Sequence, residues 1–152
     1  MFEIRPARQS DFLAIRSLVH LVKINPMHLD WHRFIVAVTA EEVLIGCGQI
    51  KPHQNESLEL ASIAVAPEWR HQGVASAIIN RLLANHSGRL YLTCRASLEA
   101  FYARFDFRVV AEDKMPEYFR RVSRLFRVLY RLNLIDERLL VMVRDESQSG
   151  RF

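Results

Sequence analysis

The chain has 152 residues, 50% of them hydrophobic and 25% charged, and carries a net charge of +4. This size and composition are typical of one globular domain, predicted over residues 1–145 with a polar tail over 146–152. No apolar run approaches the roughly 20 residues of a membrane-spanning helix, and charges interrupt the N-terminal stretch where a signal peptide is apolar. We therefore expect a cytoplasmic protein. Its charge is too small to indicate nucleic-acid binding by itself.

Hydrophobic periodicity predicts the elements in chain order. Alternating or short apolar runs predict strands over residues 2–7, 34–39, 43–52, 57–67, 88–95, 107–112 and 138–145. Helical spacing predicts helices over residues 10–23, with Ser10 as the candidate N-cap, and over 71–85, 97–105 and 116–133. Residues 25–33 are typical of a short helix or turn. This mixed order, without repeats or linkers, indicates an α/β layer fold on a mixed sheet.

A single glycine, Gly73, stands where the fourth strand leads into a helix. The first amides of a helix lack backbone partners and lie at the positive end of the helix dipole, so phosphate groups can bind there. Glycine lets the backbone approach such a ligand, and the small Ala75 and Ser76 keep the helix entrance open. The stretch is neither a Walker loop nor a dinucleotide fingerprint. The residues alone leave both an anion site and an ordinary turn packed around Gly73 open.

Residues 65–75, VAPEWRHQGVA, resemble the coenzyme A motif of the GNAT N-acetyltransferase superfamily, Val-x-Pro followed by Arg/Gln-x-x-Gly-x-Gly/Ala. The opening strand and helix are similar to those of the family, and FYARFDFRVV resembles its Tyr-x-x-x-Gly-Phe segment, with Tyr102 and Phe107 in the defining places. The resemblance implies a GNAT fold. That fold has a central mixed, mostly antiparallel sheet of about seven strands flanked by helices, here with an extra helix before the last strand.

The resemblance also implies acetyl-CoA as cosubstrate. The family places the coenzyme pyrophosphate on amides of residues 71–76 and pairs the pantetheine arm with the backbone of residues 63–65. The implied coenzyme-binding residues are Ile63, Ala64, Val65, Arg70, His71, Gln72, Gly73, Val74, Ala75 and Ser76. No metal is expected, because His28 and His32 have no third ligand at a recognisable spacing.

Acetyl transfer to an amine needs a base for the ammonium, a donor for the oxyanion and an acid for the departing thiolate. By resemblance, Tyr102 is the acid, Glu59 the base and the amide near Val65 the oxyanion donor. An even offset along one strand predicts that Glu59 and Val65 share a face. The alternatives are that Tyr102 is a core tyrosine with a surface hydroxyl and that Glu59 is a solvated strand glutamate. Weaker candidates for the base are His53, His71 and Glu56.

Two cysteines, Cys47 and Cys94, lie in apolar contexts and are expected to be buried thiols rather than a disulfide or metal framework. Neither shows a histidine-paired nucleophile pattern, so we expect direct transfer without an acyl-enzyme.

Two residues depart from the family pattern. Asp106 replaces the usual glycine, and aspartate tolerates a left-handed backbone well enough for the turn to survive. Arg95 stands where an asparagine is common. LYLTCRAS and ELASIAVAP resemble the acetyltransferase domain of bacterial N-acetylglutamate synthases, in which an arginine after this strand can hold a substrate carboxylate. Arg95 and Ser97 are therefore candidate substrate contacts, with a surface or coenzyme-phosphate contact as the alternative for Arg95.

The segment over residues 116–133 combines five arginines with an apolar stripe of Phe119, Val122, Phe126 and Leu129. Packing or dimerisation is favoured over membrane or nucleic-acid contact. We expect no nucleic-acid or membrane partner and leave a homodimer open. The predicted function is acetyl-CoA-dependent N-acetylation of a primary amine, favouring a small molecule such as an amino acid. The alternatives are a protein N-terminal or lysine acetyltransferase and a non-catalytic acyl-CoA sensor module.

Overall fold

The computed structural model describes residues 1–145, and the predicted polar tail over 146–152 lies outside the described residues. The strands are β1 Phe2–Pro6, β2 Phe34–Thr39, β3 Leu44–Pro52, β4 Leu58–Val65, β5 Leu90–Arg95, β6 Arg108–Val109 and β7 Leu139–Arg144. The α-helices are α1 Phe12–Leu21, α2 Val74–Ala84, α3 Glu99–Ala103 and α4 Glu117–Arg131. Residues 25–33, predicted as a short helix or turn, contain a 3-10 turn over Trp31–Arg33. The predicted order of elements is confirmed.

The strands form a seven-stranded sheet in the order β1-β2-β3-β4-β5-β7-β6. The ladders β1–β2, β2–β3, β5–β7 and β6–β7 are antiparallel. The β4–β5 ladder is parallel and consists of one pair, Glu59 opposite Tyr91. A mixed, mostly antiparallel sheet flanked by helices confirms the predicted fold class.

The chain divides into two compact units. The first contains Met1–Lys51 with Leu60–His86, and the second contains Pro52–Glu59 with the chain from Ser87 onward. A single domain over residues 1–145 stays a prediction.

In the first unit, two glycines of β3 let α2 lie close against the strand. A Cβ on Gly46 would lie 2.7 Å from Cγ1 of Val74, and one on Gly48 would lie 2.9 Å from Cγ2 of Ile78. No side chain fits at these distances, so both positions require glycine for the helix to pack as it does. On α1, the residues of the predicted apolar face that are fully buried are Ile15, Leu18 and Val19.

The start of α1 differs from the prediction. Ser10 lies inside a 3-10 turn, and the helix begins at Phe12 with Asp11 as its N-cap residue. The Asp11 carboxylate accepts the Arg8 amide and pairs with the Arg5 guanidinium, each at 2.7 Å. This pairing lowers the pKa of Asp11 despite its burial. An ion pair with β1, rather than a serine hydroxyl, therefore organises this helix entrance.

In the second unit, the core is a cluster packed around α4. Its buried members are Tyr91, Val110, Met115, Phe119, Val141 and Val143. Only the N-terminal end of the predicted apolar stripe of α4 is fully buried, because Val122, Phe126 and Leu129 are half-buried. Packing of this helix is confirmed at Phe119.

The arginines of α4 are largely engaged within the protein. Arg124 and Arg127 both bind the Glu112 carboxylate at 2.7 Å, and Arg120 donates to the Met115 carbonyl at 3.1 Å. These contacts join α4 to the segment that precedes it.

The strand predicted over residues 107–112 is short. Only Arg108 and Val109 join the sheet, because the chain then turns into a 3-10 segment over Glu112–Lys114. Just before it, Asp106 has a φ of +68°. The prediction that aspartate supports a left-handed turn in place of glycine is confirmed.

Candidate active site

The entrance to α2 offers free backbone amides. The helix begins at Val74, three residues later than predicted, because His71 and Gly73 both have left-handed backbones with φ of +63° and +82°. No side chain caps this end of the helix. The amides of the first turn therefore point outward without a capping partner, at the positive end of the dipole.

Gly73 is not required for packing. A Cβ placed on it would meet no atom within 4 Å. Its left-handed φ and its open side, rather than a tight contact, are the reasons for glycine at this position. The open side rules out a packing role for Gly73 and leaves room for a ligand to approach the backbone.

The side chains around this turn are mostly exposed. Arg70, His71 and Gln72 are all exposed, and Gln72 donates its amide to the Glu68 carbonyl at 3.2 Å. Ala75 and Ser76, in the first turn of α2, are half-buried. The cationic Arg70 is thus available to a ligand beside the amides.

The end of β4 contains a backbone irregularity that the sequence did not indicate. Ser62 has a φ of +58°, and its hydroxyl accepts the Gln49 side-chain amide at 3.0 Å. A left-handed residue interrupts the two-residue repeat of a strand. The even offset between Glu59 and Val65 therefore does not establish a shared face. After the irregularity, Ala64 is buried, whereas Ile63 and Val65 are half-buried.

Glu59, the predicted base, is buried and bound to a histidine. Its Oε1 lies 2.7 Å from Nε2 of His53, and the two side chains are 8% and 11% exposed. The alternative of a solvated strand glutamate is wrong, because a solvated carboxylate would be exposed. Sequence reasoning ranked His53 as a separate and weaker base, and it did not predict that the two residues form a pair.

Tyr102, the predicted acid, lies on α3 and is 8% exposed. Phe101 and Phe107 contact its ring edge-on. Burial, and secondarily the nearby Cys94, raises the pKa of Tyr102 well above its ordinary value. The hydroxyl therefore stays protonated, and it makes no hydrogen bond to any residue in the range 1–145.

The predicted substrate contacts Arg95 and Ser97 lie beside a carboxylate of the protein itself. Both side chains are on the surface, and the Ser97 amide donates to Oε1 of Glu137 at 3.1 Å. Hydrogen bonding by Ser97, with a smaller contribution from the charge of Arg95, lowers the pKa of Glu137. Glu137 thus already accepts the hydrogen bond that the Ser97 amide could otherwise give to a substrate carboxylate.

Lys51 was not among the functional residues predicted from the sequence. It lies on β3, is 4% exposed, and makes no ion pair or hydrogen bond with any residue in the described range 1–145. Gln49 lies two residues away on the same face and leaves its buried Oε1 without a partner. The alternation of side chains along β3 could have indicated its burial, because Lys51 lies on the same face of the strand as the buried Ile45 and Cys47.

Both cysteines are free and buried, as predicted. Burial raises the pKa of the Cys47 thiol to about 12 and that of the Cys94 thiol to about 11. Both thiols stay protonated at neutral pH and are poor nucleophiles.

Within residues 1–145, no group of three histidine, cysteine or acidic side chains is arranged to hold a metal ion. The helices of the same range are all too short or too polar to cross a membrane.

A comparison with protein-family models matches residues 30–109 to the acetyltransferase (GNAT) domain. This match covers more than half of the chain and includes the coenzyme motif and Tyr102. The chain belongs to the GNAT acetyltransferase family. It is therefore an N-acetyltransferase by family.

Solved structures share the fold of this GNAT acetyltransferase. Rv2747 from Mycobacterium tuberculosis, in complex with CoA and NLQ, is 22% identical, with a TM-score of 0.71 over 95% of this chain and 99% of that one. The N-acetylglutamate synthase from Neisseria gonorrhoeae, complexed with coenzyme A and N-acetyl-glutamate, is 21% identical, with a TM-score of 0.68 over 97% of this chain. ElaA from Escherichia coli is 18% identical, with a TM-score of 0.62 over 95% of this chain and 100% of that one.

This GNAT acetyltransferase spans only 36% of the length of the gonococcal synthase chain. A comparison with curated protein sequences gives no significant match. At these identities the structural likeness establishes the fold, so the acceptor has to be argued from the residues of this chain.

Proposed function

We propose that this enzyme transfers the acetyl group of acetyl-CoA directly to the primary amine of a small, carboxylate-bearing molecule such as an amino acid. The observation that carries the acceptor class is Lys51, a lysine that is 4% exposed and makes no ion pair with any residue in the described range. A carboxylate bound at this lysine would make a charge-assisted hydrogen bond with it.

The first unit would bind the coenzyme. The uncapped amides of residues 71–76 suit a diphosphate, and the exposed Arg70 adds a cation beside them. The backbone of residues 63–65 lies outside the single-pair β4–β5 ladder, so it suits strand-like pairing with a pantetheine arm. Because these contacts use backbone groups, they depend on the turn geometry around Gly73 more than on particular side chains.

The second unit would supply the proton transfers. Glu59 takes a proton from the acceptor ammonium and frees the lone pair that attacks the thioester carbonyl. The amide near Val65 would donate to the oxyanion. As the carbon–sulfur bond breaks, the Tyr102 hydroxyl gives its proton to the departing thiolate. The protonated Cys47 and Cys94 thiols support direct transfer without an acyl-enzyme.

Two features support an amino-acid acceptor besides Lys51. The gonococcal synthase structure contains N-acetyl-glutamate, and the Rv2747 structure contains NLQ beside CoA. Arg95 is exposed and is kept as a second candidate for a substrate carboxylate, with Ser97 beside it. The Glu137 contact at Ser97 makes this pair the weaker support, since an incoming carboxylate would have to displace it.

The test is an acceptor screen that follows free thiol release from acetyl-CoA, with each amino acid paired with its amide. Wild type should acetylate one or more amino acids and discriminate against their amides. Lys51→Met should raise the KM for the amino acid about tenfold or more, because a charge-assisted contact is lost, and should leave the KM for acetyl-CoA unchanged. Lys23→Met, at an exposed lysine, is the matched control.

Each other outcome of the screen contradicts the proposal in a recognisable way. Equal KM values for the amino acid in wild type and Lys51→Met remove Lys51 from the acceptor site. Preference for peptides indicates a protein acetyltransferase. Tight coenzyme binding without acetylation of any amine indicates a sensor module.

A further inference from the structure

The proposed roles of the residues give no part to the buried pairing of His53 with Glu59. The imidazole Nε2 lies 2.7 Å from Oε1 of Glu59, and both side chains are about nine-tenths buried, at 11% and 8% exposure. A charge-assisted contact of this length in a buried setting is among the stronger hydrogen bonds in proteins.

The ring of His53 is held on two sides by aromatic residues of α4. It stacks on Tyr118 with ring centroids 3.8 Å apart and planes at 20°, and it meets Phe119 edge-on at 5.5 Å. Its backbone closes the hairpin between β3 and β4, since its amide donates to the Ser57 carbonyl and its carbonyl accepts the Glu56 amide. The imidazole therefore has a fixed position and orientation.

The chemistry of the pair follows from this fixed geometry. An ionised carboxylate can only accept hydrogen bonds, so Nε2 of His53 is the donor to Oε1 of Glu59. The bond occupies Oε1 of Glu59. Oε2 makes no hydrogen bond to any residue in the range 1–145. One carboxylate oxygen is thus anchored and the other is free.

The titratable neighbours of the pair are tyrosines. Tyr118 faces His53 from α4, and Tyr91 lies opposite Glu59 on β5. Burial, followed by the charge of Glu59, raises the pKa of Tyr118, so this hydroxyl stays neutral at working pH. Tyr118 therefore brings no charge to the His53–Glu59 pair.

We propose that His53 is the positioning residue for Glu59, anchoring Oε1 so that Oε2 takes the proton from the acceptor ammonium. The proton leaves the ammonium nitrogen, joins Oε2 to give a carboxylic acid, and returns to solvent after acetyl transfer. This inference rests on the proposed function, in which Glu59 is the base. His53 does not itself exchange the proton.

Two substitutions separate positioning from proton exchange. His53→Gln keeps an N–H donor for Oε1 but cannot accept a proton, whereas His53→Phe keeps the ring stack on Tyr118 but has no donor. We expect kcat within about threefold of wild type for His53→Gln, and about 10–100-fold lower for His53→Phe, by analogy with the loss of residues that orient metal ligands. The KM for acetyl-CoA should not change in either. His20→Gln, at an exposed histidine, is the control.

A spectroscopic signature adds a readout that a purely structural role would not move. Nuclear magnetic resonance of the imidazole nitrogens, which needs no acceptor, should show the Nε2–H tautomer in wild type and its loss in Glu59→Gln.

The outcomes are distinguishable. If His53→Gln is as slow as His53→Phe while wild type is active, Nδ1 takes the proton and the positioning role is overturned. Wild-type rates in His53→Phe overturn it as well, as does an Nδ1–H tautomer in wild type. If wild type acetylates no amine, the proposed function fails first and the positioning role fails with it.

Discussion

In the proposed reaction the Tyr102 hydroxyl is the proton donor, and the burial of its ring suits it to that role. Apolar surroundings disfavour the phenolate, which raises the pKa of Tyr102 and keeps the hydroxyl protonated throughout the working range. The thiolate of a departing coenzyme needs a proton at neutral pH, and a neutral phenol without a hydrogen-bond partner in the described range can supply it. The same burial that would make the residue a plain core tyrosine therefore also suits it to act as an acid.

Tyr102→Phe tests this role at the scale of one atom. We expect kcat to fall about 100-fold, the lower end of the range for general acid catalysis, with the KM for acetyl-CoA little changed. Stability should change by less than about 1 kcal/mol, because the buried ring is retained. Steady-state kinetics and thermal unfolding measure both, and Tyr130→Phe, at a half-exposed tyrosine, is the control.

The raised pKa also has a consequence for the pH profile. A tyrosine with an ordinary pKa ionises near pH 10, whereas Tyr102 should remain protonated there. An alkaline limb near pH 10 that is present in wild type and absent in Tyr102→Phe would contradict the assignment.

At the scale of one element, the entrance to α2 has a left-handed backbone conformation beside an open space. The backbone of Gly73 is left-handed, which costs a residue with a side chain about 1–2 kcal/mol. The space beside it is open, so a Cβ there would clash with nothing in the protein. A side chain at this position would therefore interfere with a ligand bound to the amides and not with the packing of the protein.

Gly73→Ala and Gly88→Ala form a matched pair, because both glycines have positive φ, at +82° and +102°. Both substitutions should lower the free energy of unfolding by about 1–2 kcal/mol through backbone strain. Only Gly73→Ala should raise the KM for acetyl-CoA, by about tenfold or more. Chemical denaturation and coenzyme titration measure the two effects, and an equal KM in both variants would remove the turn from the coenzyme site.

At the scale of the whole molecule, coenzyme binding should show as stability. A ligand that binds only the folded state stabilises it by about 2.7 kcal/mol at 100 times its Kd. For a chain of this size that corresponds to a rise in Tm of about 5–11 °C. Thermal unfolding with coenzyme A measures it, and pantetheine without the diphosphate should give a much smaller shift. Equal shifts from the two compounds would show that the diphosphate is not held by the amides of α2.

Local signals predicted most of the elements and supplied the candidate residues of the site. The periods of helices and strands, and the glycine at the entrance to α2, depend on neighbouring residues, so they can be read along the chain. The coenzyme motif is local in the same sense, because it describes one turn and the first residues of one helix. Tyr102 and Glu59 could be named because each occupies a place defined by a nearby motif.

The tertiary structure alone decided the electrostatic environment of the site. His53 meets Glu59 because a hairpin folds between them and α4, far along the chain, packs its aromatic residues on the ring. Lys51 is buried without an anion, and Ser62 departs from strand geometry, for reasons that depend on which strands lie beside them. Burial and pairing are properties of residues brought together by the fold, whereas the sequence by itself determined the order of elements, the family motif and the chemistry available to them.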